Sequence, residues 1–499
     1  MGRLEAIVDG SGVADRIEVL LPVGPRPRQL SVRTLLVGML ACQTDGRPAH
    51  LRRVHQALLG LSDTDRARLG VIVEWNRRPH PLTYRQVEYT FGLVVAAVSK
   101  PDPDRQPSEL LAGIVDDLVE ASITGTYKTA STSLAVDWTD HESWALGPHS
   151  DGVTADPEAS WGRRKSHAVG EKNEVFYGYY LSAAVTVADE GGPVVPELIR
   201  RITLTTCSAD PVPALVPVLA RLAASGVTLG DVLADSGYAH RVAAHWAAPL
   251  RALGANLITD LHPSDRGPHG TFAGATAANG NLYCPATPAP LLHIGPLARA
   301  ASSDQTTEHD QKAGETARYK LGPITARDPD GYHRVACPAA TGKVRCPRHP
   351  DSMTLDYQRP TITDPPDPAP LCCTQKTVTV PATVNLKTAQ KHDYPSKAWR
   401  DSYRRRTAVE RAYSTLKDPA TNNIDRGWCR LTGLTPILIF LSVTVAARNL
   451  RVADAFEEKA AADQQRAARG LPPRTRRRRR KTLANHTAAN TPPQPTQAP

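Results

Sequence analysis

Apolar residues recur at three- and four-residue steps in SVRTLLVGMLA, HLRRVHQALLGL and TYRQVEYTFGLVVAAV, a pattern that predicts helices from residue 31 to about 120. Ser31 and Thr83 stand where N-caps belong. A Pro- and Asp-rich stretch, SKPDPDRQPSE at 99–109, interrupts them. From about 131 the period shortens. STSLAVDW, EVFYGYYLSAAVTV and LIRRITLTTC read as strands, followed by helix VPALVPVLARLAASG, strand DVLADSGY, helix HRVAAHWAAPLRALG and strand ANLITDL. Three strands in succession, then alternating helix and strand, predict an α/β fold with a mixed sheet covered by helices. Residues 265–390 break the pattern with Pro, Gly, Thr and short runs such as TVTVPATVNL, and read as a β-rich or irregular insertion. Periodicity returns with SKAWRDSYRRRTAVERAYSTLK and LTPILIFLSVTVAARNLRVADAF, two helices. The expected organisation is a helical N-terminal domain (1–125), a first part of the core (126–264), the insertion (265–390), closing helices (391–460) and a disordered basic tail (461–499).

Composition refines this picture in three ways. The 499 residues exceed what one core usually holds. The formal charge is +10, but seven positive charges fall in RTRRRRRK at 474–481, so the remainder is only slightly basic. That run, with Arg476, Arg477, Arg478, Arg479 and Arg480, suits non-specific contact with nucleic-acid phosphates; a solvated tail is the alternative. Arg33, Arg52, Arg53, Arg77 and Arg78 add charge to the N-terminal helices, which read equally as a DNA-binding or a packing domain. The start, MGRLEAIVDG, has no secretory pattern, and the apolar run Leu434 to Ala447 reads as a buried helix rather than a membrane span. A cytoplasmic, nucleoid-associated protein with no membrane partner is expected, with its eight cysteines as thiols or metal ligands.

The candidate chemistry lies in three acids. On the helix 399–417, Val409, Ala412, Tyr413 and Leu416 form an apolar stripe. Tyr403, Arg406, Glu410 and Lys417 are spaced by 3, 4 and 7 and fall within roughly 60° of one another, bordering that stripe. An exposed ion-paired face, with Arg406 against Glu410, is the plainer alternative. Asp137 closes one apolar strand, and Asp235 ends or follows another. Acids at strand ends of an α/β sheet share a crevice. Three carboxylates there suit two Mg²⁺ (or Mn²⁺) ions, which prefer oxygen ligands and act on phosphodiesters.

Tyr403-x₂-Arg406-x₃-Glu410-x₆-Lys417 resembles the YREK signature of a group of bacterial insertion-sequence DDE transposases. VLADSGY around Asp235 resembles that family's second acidic motif, and LAVDWT around Asp137 its first. DPEASWGRRKS followed by VFYGYYLSAAV resembles the segment between them. The resemblance covers about 131–260 and 395–450. It implies an RNase H-like core with the insertion before the last acid. It also implies recognition of terminal inverted repeats, cleavage at element ends and strand transfer into target DNA, usually by a homodimer. Asp137, Asp235 and Glu410 would then hold the metals, and Tyr403, Arg406 and Lys417 would position phosphates. Some such enzymes stack a flipped base on a Trp of the insertion. Here 265–390 contains no Trp, only Phe272, Tyr283, Tyr319, Tyr332 and Tyr357.

Several residues compete. Asp140, Glu142, Asp151 and Asp156 follow the first strand as loop acids, with Asp140 the nearest substitute for Asp137. His141 and His240 lie near the acids without a defined role. Cys337, Cys346, His349 and Cys372, with Cys284 and Cys373 nearby, read as a structural Zn²⁺ site or as scattered thiols. Two other functions remain open: an RNase H-like nuclease without strand transfer, and a transposase-derived DNA-binding protein without catalysis.

Overall fold

The central sheet grows from six strands whose β-branched and aromatic residues suit a buried pleat. In chain order the computed structural model has a hairpin, β1 (Ile72–Trp75) and β2 (Arg78–Pro81), then β3 (Ser133–Glu142), β4 (Ser160–Arg164), β5 (Glu174–Val187), β6 (Ile199–Thr206), β7 (Asp231–Ala234) and β8 (Asn256–Thr259). It describes residues 1–23, 28–75, 78–99, 106–148, 152–164, 174–298, 300–328 and 330–472, with only the backbone for 72–75, 78 and 79. β5 runs antiparallel to β3, and β6 and β4 run antiparallel to β5. β7 adds parallel to β3, and β8 parallel to β7. The sheet is therefore mixed, as the element order predicts. Gly178 sits where β3 and β4 both meet β5; a Cβ there would lie 2.2 Å from the His141 carbonyl oxygen, so only glycine fits.

Alternation along β3 sorts its side chains. Leu134 and Val136 enter one apolar cluster with Val212, Leu215, Leu219 and Leu222 of the helix Pro211–Ala224. Ala135 enters the opposite one, with Leu233 of β7, Val409 and Tyr413 of the helix Thr407–Leu416, and Phe440 of the helix Leu434–Ala468. The N-terminal helices Val32–Thr44, Leu51–Leu59, Tyr84–Val98 and Glu109–Ala121 bury residues in this same cluster. They share the core of the sheet. Ser31 caps its helix by accepting from the Thr34 amide, and Thr83 forms a capping box with Gln86, as their positions predict.

The structure departs from expectation at four places. Two helices, Gly2–Ser11 and Val13–Glu18, precede the first predicted one. The β1–β2 hairpin interrupts the helices, because Pro79 and Pro81 exclude a helix there. The helix 399–417 is two helices, Lys397–Tyr403 and Thr407–Leu416, joined by a 3₁₀ turn at Arg404–Arg406. The insertion carries two three-stranded sheets, made by β9 (Pro268–Phe272), β10 (Ala275–Ala278) and β11 (Asn281–Tyr283), and by β12 (Gly322–Pro323), β13 (His333–Ala336) and β14 (Val378–Val380). It also carries a 17-residue helix, Ser303–Tyr319, whose sequence hides it: only Thr316 and Tyr319 are buried, so no apolar stripe marks it.

Residues 1–452 form one unit and 453–499 a second, within which Arg466 donates to the Pro472 carbonyl. The helix Leu434–Ala468 is long and apolar enough to cross a membrane. However, 83% of its apolar window is buried inside the protein, the state of a core helix. The predicted disordered tail, 461–499, begins instead as helix, since 461–468 continue Leu434–Ala468; Arg476 to Arg480 and everything beyond 472 lie outside the described residues, as do Arg77 and Asp151.

Candidate active site

The register of the parallel pair brings the first two acids together. Leu134 faces Val232 and Ala135 faces Leu233. Two residues further on, β3 reaches Asp137 and the other chain reaches Asp235, each with the facing parity of Ala135 and Leu233. Contrary to the sequence reading, Asp137 does not close its strand. β3 continues to Glu142, but the unbroken run of buried side chains stops at Val136; beyond it only His141 is buried. It is β7 that ends, at Ala234, leaving Asp235 as the N-cap of the short helix Ser236–Ala239, where its Oδ1 accepts from the Gly237 amide at 2.9 Å.

The third acid arrives on the helix Thr407–Leu416. Ala408, Val409, Ala412, Tyr413 and Leu416 are buried, which includes the whole predicted stripe. Tyr413 fixes the docking: its hydroxyl donates to the carbonyl oxygens of Asp137 (2.7 Å) and Leu181 (3.0 Å). Tyr413→Phe is expected to cost about 1–2 kcal/mol in urea denaturation, since two buried acceptors lose a donor. An unchanged midpoint would mean that packing alone sets the helix.

Arg406 joins the acids. Its guanidinium donates to Asp137 Oδ2 at 3.2 Å and to Glu410. It also lies 5.7 Å from the centre of the Tyr403 ring, and Tyr403 in turn stacks on Trp399 at 4.8 Å. Burial pushes the Tyr403 phenol up. Burial disfavours the charge on Arg406, but Tyr403, Asp137, Glu410 and Asp235 outweigh it and hold the guanidinium firmly protonated. Asp137 goes the other way. Burial, the charge on Asp235 and, more weakly, that on Glu410 exceed the help from Arg406 and the Trp138 amide, and push its carboxyl up to about 7. The charges of Asp235 and Glu410, from remote parts of the chain, thus both reach the Asp137 carboxyl, and the Arg406 guanidinium joins Asp137 to Glu410. Among the described residues no three His, Cys, Asp or Glu side chains are gathered closely enough to hold a metal ion as they stand.

Lys417 points elsewhere. Its Nζ meets Asp140 Oδ1 at 3.3 Å, and Arg164 meets Asp140 Oδ2 at 2.7 Å. Burial alone would raise the Asp140 carboxyl, but Lys417 and Arg164 hold it below the usual carboxylate range. A cleft of about 390 Å³ opens here, lined by Asp140, Glu142, Arg164, Lys417 and Arg426 among others. The YREK set therefore spans two adjoining places: Tyr403, Arg406 and Glu410 beside Asp137, and Lys417 beside Asp140.

Comparison with protein-family models finds no match. Comparison with curated proteins finds none either.

The competing residues resolve by their partners. Asp156 is fully buried and accepts from Ser143 (2.6 Å) and Tyr179 (2.7 Å), a structural role. Glu142 pairs with Arg164. His141 is buried, and burial with the nearby Lys417 pushes its imidazole down to about 4, so it is neutral at pH 7. His240 stacks against His262 at 4.1 Å. Sequence spacing missed a second ionic layer. Arg405 donates to Asp231 (2.7 Å), which also accepts from Lys391 (2.9 Å), and this ties the 3₁₀ turn to the start of β7. Asp231 opens a strand whose other residues are apolar, which is the one signal that could have marked it. All eight cysteines are free thiols. Within the expected zinc set, Cys337 and Cys346 share one apolar cluster, while Cys372 lies in another.

Proposed function

We propose that this chain is a metal-dependent DNA transposase of the DDE type, with an RNase H-like core, acting on terminal inverted repeats and target DNA, usually as a homodimer. The observation that carries the reading is that Arg406 bridges Asp137 and Glu410 while the parallel register sets Asp235 beside Asp137, although the three acids lie far apart in sequence. The donor set fits hard divalent cations. It offers only carboxylate oxygens, and burial, followed by the charge of Asp235, pushes one of them up to about 7, a penalty that a bound cation relieves. Asp137, Asp235 and Glu410 would hold the ions. Two Mg²⁺ or Mn²⁺ ions, when bound, supply activation of a water or 3′-hydroxyl and stabilisation of the leaving oxygen.

The chain's own groups divide the remaining work. Asp137 must shed its proton before it serves as a ligand, so activity should rise with pH up to about 7. Arg406 neutralises the acids in the absence of substrate, and its planar fork suits a phosphate once cations take over that task. Lys417, Arg164 and Arg426 line the adjoining cleft as further phosphate contacts. Tyr403, braced by Trp399, holds Arg406 in place.

The test uses labelled duplexes carrying the sequences that flank the gene, a supercoiled plasmid and Mg²⁺. Products joined to plasmid are expected. Nicks without joining would favour a nuclease, and binding without either would favour a non-catalytic DNA-binding protein.

A further inference from the structure

The insertion holds little apolar core for its length. Its two buried clusters centre on a few small residues, one around Tyr283, Leu292 and Val344, the other around Leu282, Leu321 and Val335. Modules of this kind usually need a covalent or metal staple. Five of the eight cysteines lie here, four of them buried.

They come from four separate places. Cys284 follows β11, Cys337 follows β13, Cys346 sits in a turn bridged to His349, and Cys372 and Cys373 lie in the short helix Leu371–Thr374. The fold gathers them. Cys284, Cys337 and Cys346 share one buried cluster. Cys373 Sγ lies 4.0 Å from Cys372 Sγ, and Cys373 interacts electrostatically with Cys337. Cys284 feels the charge of Cys337, Cys373 and Cys346, and Cys373 feels that of Cys346.

Cys284, Cys337 and Cys346 each precede proline, and each stands outside the regular elements, in a main-chain turn. Sulfurs brought from four places into one small module match the ligand set of a soft cation, which binds thiolates by displacing their protons.

We propose that Cys284, Cys337, Cys346 and Cys373 supply four thiolates to one structural Zn²⁺ that staples the insertion together. The sulfurs must close inward from their present spacing to do so. This set replaces two members of the one expected from sequence. Both thiols of the helix Leu371–Thr374 lie against the second cluster, but Cys372 is 2% exposed within it, beside Leu321, Val335 and Val378, whereas Cys373 is half-buried and is the one that also interacts with Cys346. His349 gives way to Cys284; its Nε2 is buried without a hydrogen-bond partner, so the test needs a His349 arm. The proposal is independent of the transposase reading.

The experiment measures zinc per chain in the full-length protein, purified without a metal-affinity tag from zinc-supplemented cells. About one Zn²⁺ per chain is expected, with cobalt substitution giving the thiolate-to-metal absorption of a tetrahedral sulfur site. Cys284→Ser, Cys337→Ser, Cys346→Ser and Cys373→Ser should each lower the content about tenfold, while Cys372→Ser and His349→Ala retain it. A mercurial titration of the wild type provides a second readout that does not depend on how the serine variants fold: zinc release should track modification of four thiols. Folded wild-type protein without zinc, a disulfide among these cysteines, or zinc lost on His349→Ala or Cys372→Ser would overturn the assignment.

Discussion

Glu410→Gln is expected to lower DNA cleavage and strand transfer about a thousandfold or more, while leaving the fold intact. The loss corresponds to about 4 kcal/mol of transition-state stabilisation, in the range that a catalytic metal supplies. Folding should survive because the side chain is 41% exposed and its ion pair with Arg406 spans a single helical turn. A Gln of the same size keeps a hydrogen-bond acceptor for Arg406 but cannot offer a charged oxygen to a cation. The alternative in which Glu410 is only a helix-surface partner predicts near-normal activity. Circular dichroism and a melting curve on the same sample separate chemical loss from unfolding.

Asp137→Asn should eliminate activity and yet stabilise the protein measured in chelator at pH 8. The sign follows from linkage. In the folded state the Asp137 carboxyl holds its proton up to about 7, and in the unfolded state it loses it near the ordinary carboxylate value of 3.8. Between those values the folded state binds more protons, so stability falls as pH rises through the window, and the full penalty applies above about 7. At about 1.4 kcal/mol per pH unit, the cost is on the order of 2–4 kcal/mol, and the neutral amide removes it. The variant's advantage should be present at pH 8, shrink as pH falls and vanish near pH 4. Mg²⁺ should stabilise the wild type at pH 8 and leave the variant unchanged. A variant less stable than the wild type at pH 8 would mean that the Arg406–Asp137 pair outweighs the crowding of the acids.

Asp137 and Asp235 were legible because apolar runs ending in a lone acid are conspicuous, and parallel register then makes them neighbours without further information. The stripe Val409, Ala412, Tyr413 and Leu416 was legible because a single helix face obeys a fixed period. The partner of Lys417 was not. A face calculation fixes only the direction in which a side chain leaves the helix, but Lys417 caps the C-terminus of Thr407–Leu416 and its long side chain follows Asp140, a residue of a distant strand. The extent of β3 past Asp137 was hidden as well, since its last residues gain their ladder from β5, a pairing that depends on distant chain. Polar segments conceal most. The helix Ser303–Tyr319 has no apolar period, and the gathering of Cys284 with Cys373 depends on how two small sheets fold back.

Anomalous diffraction from crystals soaked in Mn²⁺ tests the claim at the centre most directly. Two peaks are predicted among the carboxylates of Asp137, Asp235 and Glu410, about 4 Å apart, with Arg406 swung away from Asp137. Density showing Arg406 still bridging Asp137 and Glu410, with manganese bound elsewhere or absent at saturating concentration, would contradict the account.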